Sequence, residues 1–389
     1  DKEISSYQEL LNLKQKEFKN YSFYLQARAY WDNRGSQNIS NLFSFLSNNT
    51  LDETTWPKVL ELKQIRYFLN ANASKTYESV SELKKDLKDN INLIVLLDND
   101  RADNSSDWKI HEEIYKQSKL QVVSILSSWG KPSFQAVHSL EELTKSFSSK
   151  QAFSIISLQD FVIGGGESRQ DVTKSLEKLN VPVLKALRVL DTNALSYSLS
   201  SQGLPVNSVH YRISMPELQG IGQVYILAMN NDSSLDKKTG ALIIDIQVIK
   251  DEIKNIIKKS KAWMKLKTKD NSDKKIAVVY YNHPPGRHNI GADNLNVPKS
   301  LFKILNELKV QGYDVGELPN SSEELLDLLQ AKGVNLPNDK KALKEQSQKV
   351  AKVSLKDYEA YLKTLPLDIQ AEMQFGPLSA LHVKIESFL

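Results

Sequence analysis

The feature that most constrains the fold is a regular alternation of strand-like and helix-like segments across residues 79–187. Four apolar runs of strand length are predicted strands, at residues 91–97, 121–126, 152–158 and 181–187. Amphipathic segments that precede or separate them are predicted helices, at residues 81–88, 108–119, 139–147 and 171–179. Because strand–helix–strand units form right-handed crossovers, this order predicts a parallel sheet of the flavodoxin-like or Rossmann-like kind.

The 389 residues leave room for about two or three domains. Residues 1–75 carry helical apolar stripes without strong strand runs, so we expect a mainly helical approach segment. A first α/β domain covers residues 76–270 and ends in a long helix with a lysine-rich face. That face suggests membrane or nucleic-acid contact, or is a solvated surface. Residues 271–389 are expected to form a second α/β unit, incomplete at its C-terminus, that opens with a buried strand at 276–280. The fold class is therefore α/β, a helical approach segment followed by two Rossmann- or flavodoxin-like units with parallel sheets.

Composition excludes several classes of protein. The chain has no cysteine, which rules out disulfides, thiolate metal sites and cysteine nucleophiles. Its net charge of +4 arises from 51 basic and 47 acidic residues, a near balance that gives no support for a nucleic-acid partner. The longest apolar runs are much shorter than the roughly 20 residues that span a bilayer. Because the chain starts at Asp1 and not at Met, an upstream targeting segment stays open as an expectation.

The loop at residues 280–291, Tyr-Tyr-Asn-His-Pro-Pro-Gly-Arg-His-Asn-Ile-Gly, follows the predicted strand of the second unit. It leads to a predicted helix capped by Asn296, and ligands of open α/β sheets bind where strands end in such loops. His283 and His288 offer imidazoles that can ligate iron, cobalt or zinc, or can serve as ordinary hydrogen-bonding groups. Arg287 is a natural partner for a carboxylate such as a propionate. We therefore expect a stiff, ligand-facing loop.

Two further motifs contain candidate site residues. Gly164–Gly166 and Glu167 form a glycine-rich turn after a predicted strand. This turn is neither a dinucleotide fingerprint nor a phosphate-binding loop, so it is either a ligand-facing turn or a plain tight turn. Arg212 and Glu217 lie around Pro216, at the end of a predicted strand over residues 208–213. Glu217 is either a general base or metal ligand, or an ion-paired surface carboxylate.

Ordered motifs run through nearly the whole chain, at residues 38–46, 164–167, 179–184, 215–218, 276–291, 295–301, 312–316, 358–366 and 375–377. Together they resemble the CobN and magnesium chelatase H-subunit family. Members of this family are the large tetrapyrrole-binding subunits of ATP-dependent metal chelatases. Gln219 stands where the family has an acidic residue after its Pro-Glu-Leu motif. The family's later His-Gly-Ser/Thr-x-x-Glu segment does not occur in the chain.

The resemblance implies the middle part of a large chelatase subunit, whose catalytic part can lie outside this chain. Its substrates would be a tetrapyrrole (porphyrin, corrinoid or haem) and a metal ion (Mg, Co or Fe), as in cobalamin biosynthesis. ATP would enter only through separate ATPase subunits. Similarity to HmuS-like members implies haem handling with iron removal instead of metal insertion. The expected location is the cytoplasm, or the cell envelope for an HmuS-like protein.

The resemblance also implies roles for individual residues. The expected catalytic residues are His283, His288 and Glu217, and the two histidines are also the expected metal contacts. The expected contacts to the tetrapyrrole are Gly165, Gly166, Glu167, Arg212, Arg287, Asn289, Gly291 and Asn296. Two other functions stay open, a non-catalytic haem or corrinoid carrier that uses the same loop, and an unrelated Rossmann-like transferase acting on a nucleotide sugar.

Overall fold

The structure, a computed structural model, describes residues 21–33, 35–48, 52–61, 64–89, 91–100, 105–148, 151–166, 168–235, 237, 240, 242–280, 290, 294–332, 345, 348 and 352–375. The chain divides into two compact units, Asp1–Thr268 and Lys269–Leu389. The border lies in the charged stretch that follows the long helix of the first unit.

In the first unit, the described residues form a seven-stranded sheet with the order β1-β3-β2-β4-β5-β6-β7. The strands are β1 Ile65–Leu69, β2 Leu93–Asn99, β3 Gln121–Ser127, β4 Phe153–Ser157, β5 Val183–Val189, β6 Ile221–Leu235 and β7 Leu242–Val248. Strands β2 to β6 run parallel, whereas β1 and β7 run antiparallel to their neighbours. The predicted α/β class is confirmed. Strand β1 lies within the segment expected to be helical, and it gains its hydrogen-bond partners from β3.

The helices of this unit are α1 Tyr21–Asp32, α2 Gly35–Asn48, α3 Val80–Lys84, α4 Ser105–Ser118, α5 Lys131–Thr144, α6 Arg169–Leu179, α7 Ala194–Leu199, α8 Val206–Val209, α9 Met215–Glu217 and α10 Lys250–Thr268. Helices α3, α5 and α6 pack on one face of the sheet, and α4 and α10 pack on the other. Alternate residues of each strand enter the two cores, as the pleat requires. No helix in the described part of the chain is both long and apolar enough to cross a membrane.

The strand order creates a topological switch point. Strand β2 pairs with β3 on one side and with β4 on the other, so the chain crosses back over β2 when it passes from β3 to β4. In open α/β sheets, a crevice forms outside the carboxyl ends of the strands at such a point, and ligands bind there. The loops after β3, β4 and β5 are therefore the candidate site.

The described residues of the second unit form helices, α11 Val297–Val310, α12 Ser322–Lys332, α13 Leu355–Leu362 and α14 Leu367–Phe375. The prediction of a buried strand at residues 276–280 is wrong, because these residues form no strand and Val279 is 94% exposed. A strand needs a hydrogen-bonded neighbour, and the described residues of this unit offer none. The apolar run at residues 276–280 was therefore not sufficient to predict a strand.

Candidate functional site at the carboxyl edge of the sheet

Aromatic side chains from three loops form a row at the carboxyl edge of the sheet. Trp129 follows β3, Phe161 follows β4, and His210 and Tyr211 lie in the connection from β5 to β6. Ring centroids are 6.1 Å apart for Trp129 and Phe161, 5.8 Å for Phe161 and Tyr211, and 5.2 Å for Tyr211 and His210. Trp129 and Tyr211 are 56% and 54% exposed. These four residues, the aromatic row, offer solvent-facing ring surface at the switch-point edge.

The connection that carries His210 and Tyr211 is helical, so the predicted strand at residues 208–213 is wrong. Helix α8 continues into a π-helical turn, His210–Ser214, and then into α9. Pro216 has no N–H, so the carbonyl of Arg212 four residues earlier receives no bond from it. The amide of Met215 donates to the carbonyl of His210, five residues earlier, which is the π-helical pattern. The alternation of Val209, Tyr211 and Ile213 imitated a strand. The π-helical turn thus lies just before Pro216, and it contains the last two residues of the aromatic row.

Arg212, a predicted tetrapyrrole contact, follows Tyr211 of the row and pairs with a carboxylate of the protein itself. Its Nη2 donates to Asp160 Oδ1 at 2.7 Å and to the carbonyl oxygen of Arg188 at 2.6 Å. The side chains of Arg212 and Asp160 are 17% and 32% exposed. Glu217, on the same helical segment, is exposed to solvent. Arg212 and Glu217 thus share one helical segment with His210 and Tyr211 of the aromatic row.

The glycine-rich turn packs against the row. Gly164 and Gly165 have φ values of +86° and +64°, in the region that favours glycine. A Cβ on Gly165 would lie 3.2 Å from the Cα of Gly130, whereas nothing lies within 4 Å of a Cβ on Gly166. The space beside Gly165 is therefore occupied by the protein's own backbone, whereas Gly166 is exposed to solvent. Glu167 lies outside the described residues.

Gln219, which sequence reasoning noted only as a departure from its family, holds this turn. Its Oε1 accepts from the amide of Ile163 at 2.9 Å, and its Nε2 donates to the Ile163 carbonyl at 3.0 Å. The side chain is buried. Only an amide side chain can donate and accept in this way, because a carboxylate has no donor at neutral pH.

We expect Gln219→Leu to lower the free energy of unfolding by about 2–3 kcal/mol, since the buried N–H and C=O of Ile163 would lose their partners. Chemical denaturation monitored by circular dichroism measures the change. Gln247→Leu, at an exposed position of β7, is the matched control and should behave as the unaltered protein does. Equal stability of the two variants would contradict the role of Gln219.

A buried polar cluster lies on the face of the sheet covered by α5 and α6, and two of its members precede residues of the row by two positions. We call it the polar floor: Ser127, Ser157, Gln159 and Lys185. Ser157 and Lys185 are paired in register on β4 and β5, and the Lys185 Nζ donates to the Gln159 carbonyl. Gln159 Nε2 donates to Ser127 Oγ at 3.1 Å, while Gln159 Oε1 and Ser157 Oγ have no hydrogen-bond partner among the described residues. Burial lowers the pKa of Lys185 to about 8.

The opposite face of the sheet holds a second buried cluster, the charged core. Arg188 Nη1 donates to Asp98 Oδ1 at 3.0 Å, and its Nη2 donates to Asp98 Oδ2. His111 lies between Asp98 Oδ2 and Ser124 Oγ, with 2.8 Å to each, and stacks on Trp108. Burial alone would raise the pKa of Asp98, but Arg188 and His111 outweigh it and hold this pKa well below its usual range.

Sequence reasoning missed both clusters, although a signal was present. Asp98 ends an otherwise apolar run, and Lys185 and Arg188 interrupt another. A charged residue within an apolar strand is either at a surface or paired in the interior. Here all three are buried, and their side chains reach the carboxyl ends of the central strands.

In the second unit, Asn296 caps α11 as predicted, accepting from the amide of Lys299 at 3.0 Å. It also lines a cleft of about 420 Å³ together with Ile290, Pro298 and Glu323. The loop residues His283, Arg287, His288, Asn289 and Gly291 lie outside the described residues, so their roles stay predictions. Among the residues that the structure describes, no group of three acidic or histidine side chains could hold a metal ion.

Comparison with known proteins gives consistent matches. The profile of the family described as CobN/Magnesium Chelatase matches residues 28–380. An uncharacterized protein of Methanocaldococcus jannaschii is 27% identical over 364 residues, which are 88% of this chain and 29% of the relative. The chloroplastic magnesium-chelatase subunit ChlH of Oryza sativa subsp. indica is 30% identical over 45% of this chain and 12% of the relative.

The aerobic cobaltochelatase subunit CobN of Sinorhizobium sp. is 25% identical, over 54% of this chain and 16% of its own length. The chain thus spans less than a third of each of these relatives. The profile match nevertheless extends through both units. On this match, the chain belongs to the CobN/magnesium chelatase family.

Proposed function

We propose that this chain forms a tetrapyrrole-binding part of the large subunit of a magnesium or cobalt chelatase, and that the macrocycle lies on the aromatic row. Relatives named for magnesium chelatase and cobaltochelatase support the class of substrate. The observation that carries the position is the row itself, with exposed rings at the switch-point edge.

The row suits a macrocycle for physical reasons. A tetrapyrrole has a broad, flat, apolar face, and aromatic rings pack on such a face by offset stacking or edge-to-face contact. Leu199, Val206 and Leu218, which lie on the same connection, are 77%, 82% and 69% exposed and would add apolar area around the row. Contiguous exposed apolar patches on soluble proteins mark interaction or ligand-binding sites.

The polar groups beside the row match the remaining chemistry. Arg212, one of the predicted contacts, can exchange part of its pairing with Asp160 for a carboxylate of the substrate. Glu217 is exposed and can accept one of the two pyrrole protons that leave when a metal ion enters the ring. His283 and His288 stay candidates for the metal contact, and Arg287 stays a candidate for a second carboxylate.

Magnesium or cobalt insertion is the direction favoured by the names of the relatives. Iron removal from haem, as in an HmuS-like protein, is the same exchange in reverse. ATP would act through separate chelatase subunits. Adding iron-loaded and metal-free macrocycles to the complete subunit with its partners separates insertion from removal, and binding without any exchange would favour a carrier.

Titration of the chain with a metal-free porphyrin tests the proposal. We expect a saturable shift of the Soret band, and we expect Tyr211→Ala to weaken binding by about tenfold through loss of ring contact. Tyr115→Ala removes a partly exposed tyrosine of α4 that lies outside the row and is the matched control. Binding that is absent, or that both variants weaken equally, would refute the position.

A further inference from the structure

The polar floor has unused hydrogen-bonding capacity that the macrocycle surface does not explain. Lys185 is fully buried, and its ammonium carries three N–H donors. The Lys185 Nζ donates to the Gln159 carbonyl. Ser157 Oγ and Gln159 Oε1 are also buried, and neither has a hydrogen-bond partner in the part of the chain that the structure describes. A buried charge and two unsatisfied polar atoms in one cluster are costly unless a further group binds among them.

The side chains of the cluster can be arranged so that they present hydrogen-bond donors to a ligand. The Ser157 hydroxyl can donate. The Ser127 hydroxyl, now an acceptor for Gln159 Nε2, can instead donate to the amide oxygen, and the amide nitrogen then takes the position of Oε1, which has no partner among the described residues. Lys185, Ser157 and the Gln159 amide then offer three donors within one buried cluster. Such a set, with one positive charge, fits a carboxylate.

The floor and the aromatic row belong to the same loops. Ser127 precedes Trp129 by two residues, and Gln159 precedes Phe161 by two. Trp129 Nε1 donates to the Val162 carbonyl at 3.0 Å, so the loops after β3 and β4 are joined above the floor. Lys185 donates to the carbonyl of Gln159, two residues before Phe161, so an acid lying on the row would have its side chains near the floor. Asp160 raises the pKa of Lys185 and Arg212 lowers it, so both charges also lie near the ammonium.

We infer that the polar floor is a carboxylate subsite, in which Lys185, Ser157 and the Gln159 amide bind one acidic side chain of the tetrapyrrole on the aromatic row. The inference rests on the proposed function. On binding, Lys185 exchanges the Gln159 carbonyl for the carboxylate. No bond is made or broken other than hydrogen bonds.

The test compares a porphyrin that has two free carboxylic acids with its dimethyl ester, by Soret titration of the whole chain at pH 7. We expect the wild-type protein to prefer the acid, and we expect Lys185→Met to weaken binding of the acid by ~10–100-fold while leaving the ester unchanged. Lys174→Met, at a side chain of α6 that is 75% exposed, is the control and should change neither titration.

Ser157→Ala keeps the inference testable if Lys185→Met fails to fold. Its hydroxyl has no partner among the residues that the structure describes, so its removal breaks no hydrogen bond seen there. We expect a loss of ~3–10-fold for the acid alone. Equal binding of the acid by the wild-type protein and by both variants would overturn the inference while the proposed function stands, because Arg212 can by itself account for a preference for the acid.

A further arm adds acetate without porphyrin and follows the melting temperature. If acid and ester bind equally, and acetate stabilises the wild-type protein but not Lys185→Met, the subsite accepts a free small carboxylate. That result would overturn its assignment to the tetrapyrrole. Failure of both porphyrins to bind the wild-type protein would refute the proposed function itself, and the inference with it.

Discussion

Arg188→Met should lower the free energy of unfolding by about 3–5 kcal/mol, the largest effect expected of any single substitution in the charged core. The guanidinium is fully buried and donates two hydrogen bonds to Asp98, which is fully buried as well. Without Arg188, the Asp98 carboxylate would remain charged in the interior, with His111 and the amide of Asn99 as its remaining recorded donors. Denaturant titration at pH 7 measures the change.

The double variant Asp98→Asn/Arg188→Met separates loss of the pair from loss of shape. An asparagine keeps one acceptor oxygen, for the amide of Asn99, and its NH2 can donate to His111 Nε2 in the tautomer that leaves this nitrogen unprotonated. It carries no charge. We therefore expect the double variant to recover a large part of the stability lost in Arg188→Met, which a double-mutant cycle reports as a coupling energy. A double variant that is no more stable than Arg188→Met would show that packing, and not charge, dominates.

Arg28→Met supplies the control for this cycle. Arg28 pairs with Asp32 one helical turn away, and both side chains are largely exposed, at 42% and 54%. Exposed pairs of this kind contribute little to stability because water screens them. We expect the variant to unfold as the wild-type protein does. The contrast would show that burial, and not pairing as such, makes the Asp98–Arg188 interaction decisive.

The same charges explain how well the fold could be predicted. Apolar runs correctly located the four central parallel strands, because such strands are buried on both faces and read as continuous hydrophobic segments. The prediction for β2 ended at residue 97 and that for β5 at residue 187, while the strands continue to Asn99 and Val189. In the sequence, Asp98 and Arg188 are charged residues that follow apolar runs, a pattern typical of the end of a strand. They continue the strands because each neutralises the other across the sheet.

The site could be predicted only in part. The sequence grouped Arg212 and Glu217 around Pro216 at the end of a predicted strand, and the structure puts both on the helical segment that carries His210 and Tyr211. The aromatic row was not predictable, because its members are far apart in sequence and meet only through the strand order. The polar floor needs the register that pairs Ser157 with Lys185, which no local pattern reveals. The loop at 280–291 stays a prediction from its residues alone.

Lys185 gives the second large effect, an increase in stability at alkaline pH. Burial lowers its pKa to about 8 in the folded protein, whereas an unfolded lysine titrates near 10.5. Between these values the unfolded chain binds more protons than the folded one, so the free energy of unfolding rises with pH. The difference of about 2.5 pH units corresponds to roughly 3 kcal/mol gained from pH 8 to pH 10.5. Below pH 8 the full penalty of the buried charge remains.

Lys185→Met should abolish this rise, and comparing the two proteins at each pH isolates the lysine. Burial raises the pKa values of Tyr67 and Tyr77, whose titration lowers stability at high pH in both proteins and so cancels in the difference. Parallel curves for the two proteins would contradict the buried charge. A difference that shrinks when a diacid porphyrin binds, and persists with its ester, would tie the instability of Lys185 to its ligand. A lysine that opposes folding at neutral pH is best explained by a bound anion that compensates it.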